Sequence, residues 1–365
     1  MKPRNAKVHA KGKGEMKTYW LLDPSKKHQN STRRNEIEVD NGKIRVVPAV
    51  VRTTSGDIDE NENHVFTAKI QRLVDWNVDL LQRNLKAIIG RRNATAKTTH
   101  ATHAQRMHNM NGVMQMERTV GKSGDGKIVL DEVTEIVTLP QFDARIARNQ
   151  ACPTKVRVSD EVKDQLRDYV ECVASMYNPN AFHNFEHASH VTMSVSKLLS
   201  RIVAPDIDSN TGNVDSTLHD HTYGITSDPL TQFAVILSAL IHDVDHVGIP
   251  NNLLLIENMA LAEKYKGKSM AEQNSIDLAW DLLMQKKFSA LRSALYGDSE
   301  SDFKRFRQLM VNTVLATDIA DKDLKNLRNM RWDKAFSDDH CEPIRDHVNR
   351  KATIVIEHLI QVRHI

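Results

Sequence analysis

The sequence predicts an all-α, multi-helix protein with a short β segment and a helical linker near its N-terminus. Three observations point there. Helix signals follow one another densely from about Val158. An acidic residue and a proline, Asp228-Pro229, introduce an apolar run from Phe233 to Leu240, and an acidic cap followed by proline is a strong helix start. Upstream, Ile70, Leu73, Val74, Val78, Leu81, Leu85, Ile88 and Ile89 recur at three- and four-residue steps, as on one face of an amphipathic helix.

Residues 1–22 end in Thr18-Tyr19-Trp20-Leu21, which has strand character. So short a strand cannot stand alone, so it reads as an edge whose sheet is missing. Residues 23–64 are polar and read as a loosely ordered linker with a strand at Lys43–Arg52. The helical pattern of 65–92 needs a partner for its stripe, either the downstream domain or a second copy of itself. Residues 93–125 are polar again, and Gly121, Gly124 and Gly126 mark a turn region.

Further on, Ser159 caps a helix with Glu161 and Asp164 in its first turns and Leu166, Val170, Val173 and Met176 along its apolar stripe. Asn178-Pro179-Asn180 breaks that helix, and the next runs from His183 through Leu199. Residues 204–228 read as a polar loop. The helix after Pro229 delivers His242 and Asp243 at its end. More helices are expected at 251–264, 270–285, 287–295, 301–315 and 342–361, and no internal repeat is present.

A chain of 365 residues can hold two domains, and 40% apolar residues support a core in part of it. Fifty Lys and Arg against 47 Asp and Glu leave a formal charge of +3, which does not indicate a nucleic-acid surface, although the first 34 residues are basic. Cys152, Cys172 and Cys341 are scattered, which is no disulfide framework and suits a reducing compartment. No apolar run approaches the roughly 18 residues that span a bilayer. The expectation is a cytoplasmic chain, or the cytosolic part of a membrane protein.

The chemistry concentrates in two stretches. Ile241 to His246 read I-H-D-V-D-H, and Phe182 to His190 carry His183, His187 and His190. Charged groups at the end of an apolar helix are costly to bury without compensation, and a metal ion supplies it. His183 and His187 are four residues apart, as are His242 and His246, so each pair shares a face if helical. Imidazoles suit zinc, and a carboxylate can bridge to a harder ion such as Mg²⁺ or Mn²⁺. Such a pair of cations activates water and clamps a displacement at phosphorus.

Three motifs, in order, then carry a resemblance: Phe182-His183-Asn184-x-x-His187-Ala188-x-x-Val191, Ala239-Leu240-Ile241-His242-Asp243-Val244-Asp245-His246-x-Gly248-x-x-Asn251, and Val314-Leu315-Ala316-Thr317-Asp318. The stretch from about 158 to 320 resembles the HD-type catalytic domain of class I 3′,5′-cyclic nucleotide phosphodiesterases. The resemblance implies hydrolysis of cAMP or cGMP to the 5′-monophosphate with two divalent metals, Zn²⁺ and Mg²⁺ or Mn²⁺. It implies His183 as the general acid on O3′, His187, His242 and Asp243 as zinc ligands with Asp243 bridging, and Asp245 and His246 around the second metal. Asn184 is implied as a positioning residue, Thr317 as a partner of a metal-bound water and Asp318 as a structural carboxylate.

Residues 11–21 resemble the end of a class III nucleotide cyclase domain, most like guanylate cyclases. This implies a cyclase joined through a linker to a phosphodiesterase, and it tilts the substrate towards cyclic GMP. The domains expected are then 1–22 as a cyclase remnant, 23–155 as a linker with amphipathic helix 66–90, and 156–365 as the phosphodiesterase domain. Helix 66–90 reads either as a signalling or homodimerising segment or as a helix packed on its own domain.

The chain departs from the family pattern at three places. His190 stands where the family has Asp, and reads either as a partner of the metal ligands or, preferably, as an exposed residue. In Asn274 to Trp280, where the family carries Glu and paired His, Asp277 and Asp281 are the carboxylates available. The family also has a further Asp ligand, a purine-gripping Gln and a stacking aromatic beyond the last helix, where this sequence reads Val362-Arg363-His364-Ile365. The expectation is a catalytic domain incomplete at its C-terminus and impaired in activity. The rival expectation is a non-catalytic remnant serving as a regulatory or dimerising module.

Overall fold

In a computed structural model of the chain, described backbone comprises short strands within residues 2–46 and residues 60–103, 128–201, 214–337 and 342–361; side chains are described for 68–98 and for most of the last three stretches. By contacts the chain forms two units, 1–57 and 58–365.

In the first unit, β1 (Lys2–Pro3) pairs antiparallel with β4 (Tyr19–Trp20), β2 (Val8–Ala10) with β3 (Gly14–Met16), and β5 (Ile37–Asp40) with β6 (Lys43–Val46). Tyr19 and Trp20 therefore have a partner strand in this chain. The strand expected at Lys43–Arg52 is realised over Lys43–Val46, and its remainder lies outside the described residues, as do the turn region with Gly121, Gly124 and Gly126, Cys341, and residues 362–365.

Every described element of the second unit is helical. The elements in order are α1 (Glu60–His103), α2 (Ala144–Asn149), α3 (Asp160–Ser175), α4 (Phe185–Arg201), α5 (Val214–His221), α6 (Pro229–Ile241), α7 (Asn251–Glu257), α8 (Met259–Lys264), α9 (Met270–Met284), α10 (Ser289–Leu295), α11 (Glu300–Leu315), α12 (Lys322–Phe336) and α13 (Ile344–Gln361). No described helix is long and apolar enough to cross a membrane.

The centre of the unit is α6. Asp228 caps it by accepting from the Thr231 backbone N–H, and Pro229 occupies the first turn. All its residues except Gln232 are buried, and a helix apolar all round is a central helix. It packs against α4, α11 and α1. The α1 stripe read from the sequence is buried at Val74, Val78, Leu81, Leu85 and Ile88, in the same core as α4, α6 and α11. The stripe of helix 66–90 thus packs on its own domain.

Three expectations are corrected. The polar loop of 204–228 contains α5, whose eight residues carry a weak apolar pattern that composition hides. The helix expected at 251–264 is two, because Asn258 ends α7 and accepts from Leu261 N to start α8. The sequence reading omitted α12, which is started by Asp321 accepting from Leu324 N at 2.9 Å and buries only Leu324, Arg331 and Ala335.

Residues 128–143, placed in the linker by sequence, form a single 3-10 turn at Val129–Glu132 and then run across α11 and α13 as a strap. Lacking a sheet, its backbone is satisfied by side chains, as buried peptide groups must be. Thr134 exchanges hydrogen bonds with the Asn312 amide, Val137 N donates to Thr353 Oγ1 at 2.9 Å, and Leu139 N donates to Asn349 Oδ1 at 3.0 Å.

Candidate metal centre

Neither His motif lies wholly on a helix, which differs from the sequence reading. α4 begins at Phe185, so His183 precedes it in a bend. Asn184 makes that start: its Oδ1 accepts from His187 N at 2.9 Å, and its Nδ2 donates to Asn180 O at 2.9 Å. The amide thus satisfies a donor that a helix N-terminus leaves open. These bonds lie at the first turn of α4, the one that carries His187.

α6 ends at Ile241, and residues 242–245 form a turn. Asp245 takes a left-handed backbone, φ +60°, which is uncommon for a residue other than glycine. The turn is held at several points. Asp245 N donates to Met176 O, Asn178 Nδ2 donates to Asp245 Oδ1 at 3.1 Å, and Asn274 Nδ2 donates to Asp245 Oδ2 at 3.1 Å. Ser275 Oγ donates to Val244 O at 2.7 Å. Both Asp245 oxygens are therefore taken by protein amides, so its carboxylate staples the turn. Burial pushes this carboxyl above its ordinary value, with the two amides opposing.

Gly248 has φ +87°, and a Cβ there would meet Asn180 Oδ1 at 2.9 Å. The glycine lets Asn180 reach across and donate to both His183 O and His246 O, joining the two motifs.

So arranged, the loops and helix ends bring five side chains together. His187, His242 and Asp243, all buried, place one ligand atom each within 4.8 Å of one another, and so do His183, Asp243 and His246. His242 Nε2 lies 3.2 Å and His187 Nε2 3.7 Å from Asp243 Oδ2. Zinc bonds of about 2.0–2.2 Å at tetrahedral angles put ligand atoms about 3.4 Å apart, which these separations bracket. His242 Nδ1 sits 2.9 Å from Ala239 O. With the proton there, Nε2 carries the lone pair that a metal needs. Asp243 Oδ2 is buried and accepts no hydrogen bond among the described residues. The donor set fits a divalent metal cation.

The electrostatics agree. Burial pushes the Asp243 carboxyl up, but the His242 imidazole beside it, aided by His183 and His246, holds it well below the usual carboxylate range. Burial, the largest single influence, lowers His242, but the charge and hydrogen bonding of Asp243, the Ala239 carbonyl and the Glu272 charge together outweigh it, leaving a net upward shift. Burial pulls His246 down to about 4, so its ring is neutral near pH 7. That ring stacks on His183 at 3.9 Å between centroids, 23° from parallel.

The third motif stands beside the cluster. Thr317 Oγ1 donates to Val314 O at 2.7 Å. Asp318, buried, accepts from Ala320 N and Asp321 N through Oδ1 and from Asn251 Nδ2 through Oδ2. Asn251 Nδ2 also donates to Glu272 Oε2 at 2.8 Å. Glu272 is the residue that sequence reasoning missed. Burial, with Asp318 and more weakly Asp243 adding charge, raises it to about 7. The signal was a lone Glu in the first turn of α9, three residues after Ser269. Asp277, weighed in its place, instead accepts from Tyr265 OH at 2.9 Å and pairs with Lys264. Asp281 has its acidity weakened by burial and by Asp277. His190, expected exposed, is half-buried.

Comparison with known proteins bears on this same region. Residues 182–362 match the 3′,5′-cyclic nucleotide phosphodiesterase family. The cGMP-specific 3′,5′-cGMP phosphodiesterase 3 of Dictyostelium discoideum is 26% identical over 157 residues, 43% of this chain and 29% of that protein. The probable 3′,5′-cyclic-AMP phosphodiesterase pde-4 of Caenorhabditis elegans is 29% identical over 40% of this chain and 18% of its own. The mouse dual specificity calcium/calmodulin-dependent 3′,5′-cyclic nucleotide phosphodiesterase 1C is 31% identical over 42% of this chain and 19% of its own. The chain thus spans less than a third of the length of these curated relatives. Among solved structures, the phosphodiesterase domain of a rhodopsin–phosphodiesterase fusion protein from the choanoflagellate Salpingoeca rosetta superposes with a TM-score of 0.40 at 23% identity, over 56% of this chain and 54% of that one. The three motifs, the His/Asp cluster and the family match all fall on one stretch, and residues 182–362 carry the pattern of the 3′,5′-cyclic nucleotide phosphodiesterase family of hydrolases.

Proposed function

We propose that the centre hydrolyses a 3′,5′-cyclic nucleotide to its 5′-monophosphate. The observation that carries this is the convergence of His187, His242 and Asp243, with His183 and His246 sharing the same carboxylate. When bound, divalent cations supply Lewis acidity and a water acidic enough to deliver the nucleophile near neutral pH. His187 Nε2, His242 Nε2 and Asp243 would hold a Zn²⁺ ion, and Asp243 would face a second, harder cation, Mg²⁺ or Mn²⁺. Glu272 and Asp318 lie on the Asn251 side and would add negative charge there.

His183 is the proton donor to the leaving O3′. Its ring is half-buried beside Phe182 and stacked on His246, so its orientation is set before substrate arrives. The neutral His246 ring does not compete for that proton near pH 7. The ribose alkoxide is a poor leaving group, and a positioned acid lowers such a barrier by about 10²–10⁴-fold. Asn184, Asp245, Thr317 and Asp318 act by tying down the backbone that carries these groups. The relatives act on cyclic GMP, cyclic AMP or both by their names, so the substrate class is the cyclic nucleotide and not one base. The likeness of residues 11–21 to a cyclase end, and a homodimer through helix 66–90, remain readings of the sequence.

The test is equilibrium dialysis against Zn²⁺ followed by turnover of cyclic AMP and cyclic GMP with added Mg²⁺, for the wild-type chain and His183→Ala. The expected result is zinc retained in both and turnover lowered about 10²–10⁴-fold in the variant. Wild-type chain that binds no zinc, or a variant with unchanged turnover, would refute the proposal.

A further inference from the structure

A buried asparagine stands in the middle of the apolar face of α1. Asn77 is fully buried among Val74, Val78 and Leu81, which belong to the main core. Its Nδ2 donates to Leu73 O at 2.8 Å on its own helix and to Ser189 Oγ at 2.9 Å on α4. Ser189 Oγ in turn donates to Phe185 O at 2.8 Å, one turn back. The chain of bonds runs from α1 through Ser189 to Phe185, and these two residues flank His187. On the outer edge of the same contact, Lys69 pairs with Glu186 at 2.7 Å, next to His187 in sequence. That pair is exposed, and exposed pairs contribute little.

For packing alone, an asparagine here is a poor choice. Its Oδ1 is buried and accepts no hydrogen bond among the described residues, and an unmade buried bond costs stability. Polar residues kept in apolar seams serve best as register devices, fixing how one helix sits on another. The register fixed here is that of α1 on the turn of α4 that carries His187. Other contacts, Arg92 to the Ser293 and Ala294 carbonyls and Asp75 to Arg167, anchor α1 to α10 and α3. Only the Asn77 bond and the Lys69 pair among these reach α4.

We propose that Asn77 is a positioning residue for the metal centre: through Ser189 it sets the height and rotation of the α4 turn that presents His187. The inference rests on His187 being a metal ligand. It makes α1, a helix outside the family-matched stretch, part of the device that aligns the site.

Asn77→Leu separates positioning from packing. Leucine keeps the branched shape and the number of heavy atoms and removes the orphaned oxygen, so thermal stability of the metal-free chain stays equal or rises. Ser189→Ala removes the acceptor from the other side with minimal change of shape. Binding of Co²⁺ alone, a spectroscopic probe for such sites, is followed in the full chain by its visible absorption. The expected result is a Kd weakened about 10-fold in either variant with an altered band shape, and no further loss in the double variant. Were both variants to bind Co²⁺ with the wild-type Kd and spectrum, the positioning role would be overturned. Equally, additive losses in the double variant would break the Asn77–Ser189 link. Failure of the wild-type chain to bind Co²⁺ would instead strike the reading of His187 as a ligand. If Asn77→Leu does not fold, Ser189→Ala with intact Asn77 decides the matter by the same readout.

Discussion

Leu81 and Leu85 on α1 are both fully buried, in one core with the residues of α3, α4 and α6. Truncating either to alanine removes three carbons from water-free surroundings. At about 0.8 kcal/mol per methylene the transfer loss alone is about 2.4 kcal/mol. A cavity that walls of α3 and α6 cannot fill adds to this, so about 3–4 kcal/mol is expected for each substitution. The two sites are one turn apart and share neighbours, so the double variant need not equal their sum. Urea denaturation followed by circular dichroism measures the loss, with a thermal midpoint lowered by about 6–12 °C as a companion. Arg83→Ala, at an exposed position between them, is the control and stays within about 0.5 kcal/mol. Losses below about 1 kcal/mol at both leucines would refute the reasoning, because α1 would then be separable from the domain. A midpoint that climbs with protein concentration would refute it too, by placing the stripe in a dimer contact.

Two further outcomes follow from charges held within the fold. Glu272 ionises near 4.5 when unfolded and is raised to about 7 in the fold. Its protonated form is therefore favoured by folding, a contribution fully present below about 4.5 and lost as pH rises through 7. That contribution amounts to roughly 3 kcal/mol of the metal-free chain's stability, so Glu272→Gln flattens the profile measured in chelator between pH 5 and 8; an unchanged slope would exclude the buried, protonated carboxyl. Asp228 is buried, accepts from Thr231 N and Oγ1, and pairs with Arg305. Asp228→Ala uncaps α6 and leaves Arg305 with Asp302 as its remaining carboxylate partner, and denaturation should register a loss of about 2–3 kcal/mol; a loss under about 1 kcal/mol would contradict the cap and the pairing.

Much of the helical core was legible because its signals are local. Ser159 caps α3 by accepting from Val162 N, as its spacing before an apolar stripe implied. Asp228-Pro229 starts α6 for the same reason. α12 escaped because its burial is three residues wide and one of them is Arg331, a charged side chain sunk against Glu357; its large apolar residues Met330, Trp332 and Phe336 are exposed and form no inward stripe. The strap at 128–143 escaped because its partners, Asn312, Asn349 and Thr353, lie about 180–220 residues away in sequence. His183 and His246 were read on helical faces, but each sits where a helix has not begun or has already stopped.

The chemistry of this protein was set by residue type alone: imidazole nitrogens and carboxylate oxygens are metal donors wherever they stand, and short-range caps and stripes obey rules spanning only a few positions. Which of these donors meet is a different matter. That Asp243 answers to His187 and His183 from another element, that Asp245 is consumed by Asn178 and Asn274, and that Glu272 rather than Asp277 turns toward Asp318 were all decided by tertiary packing. The reason is that a donor's partner is fixed by distance in space, and loops such as 242–248 acquire their course only from the helices they are bonded to.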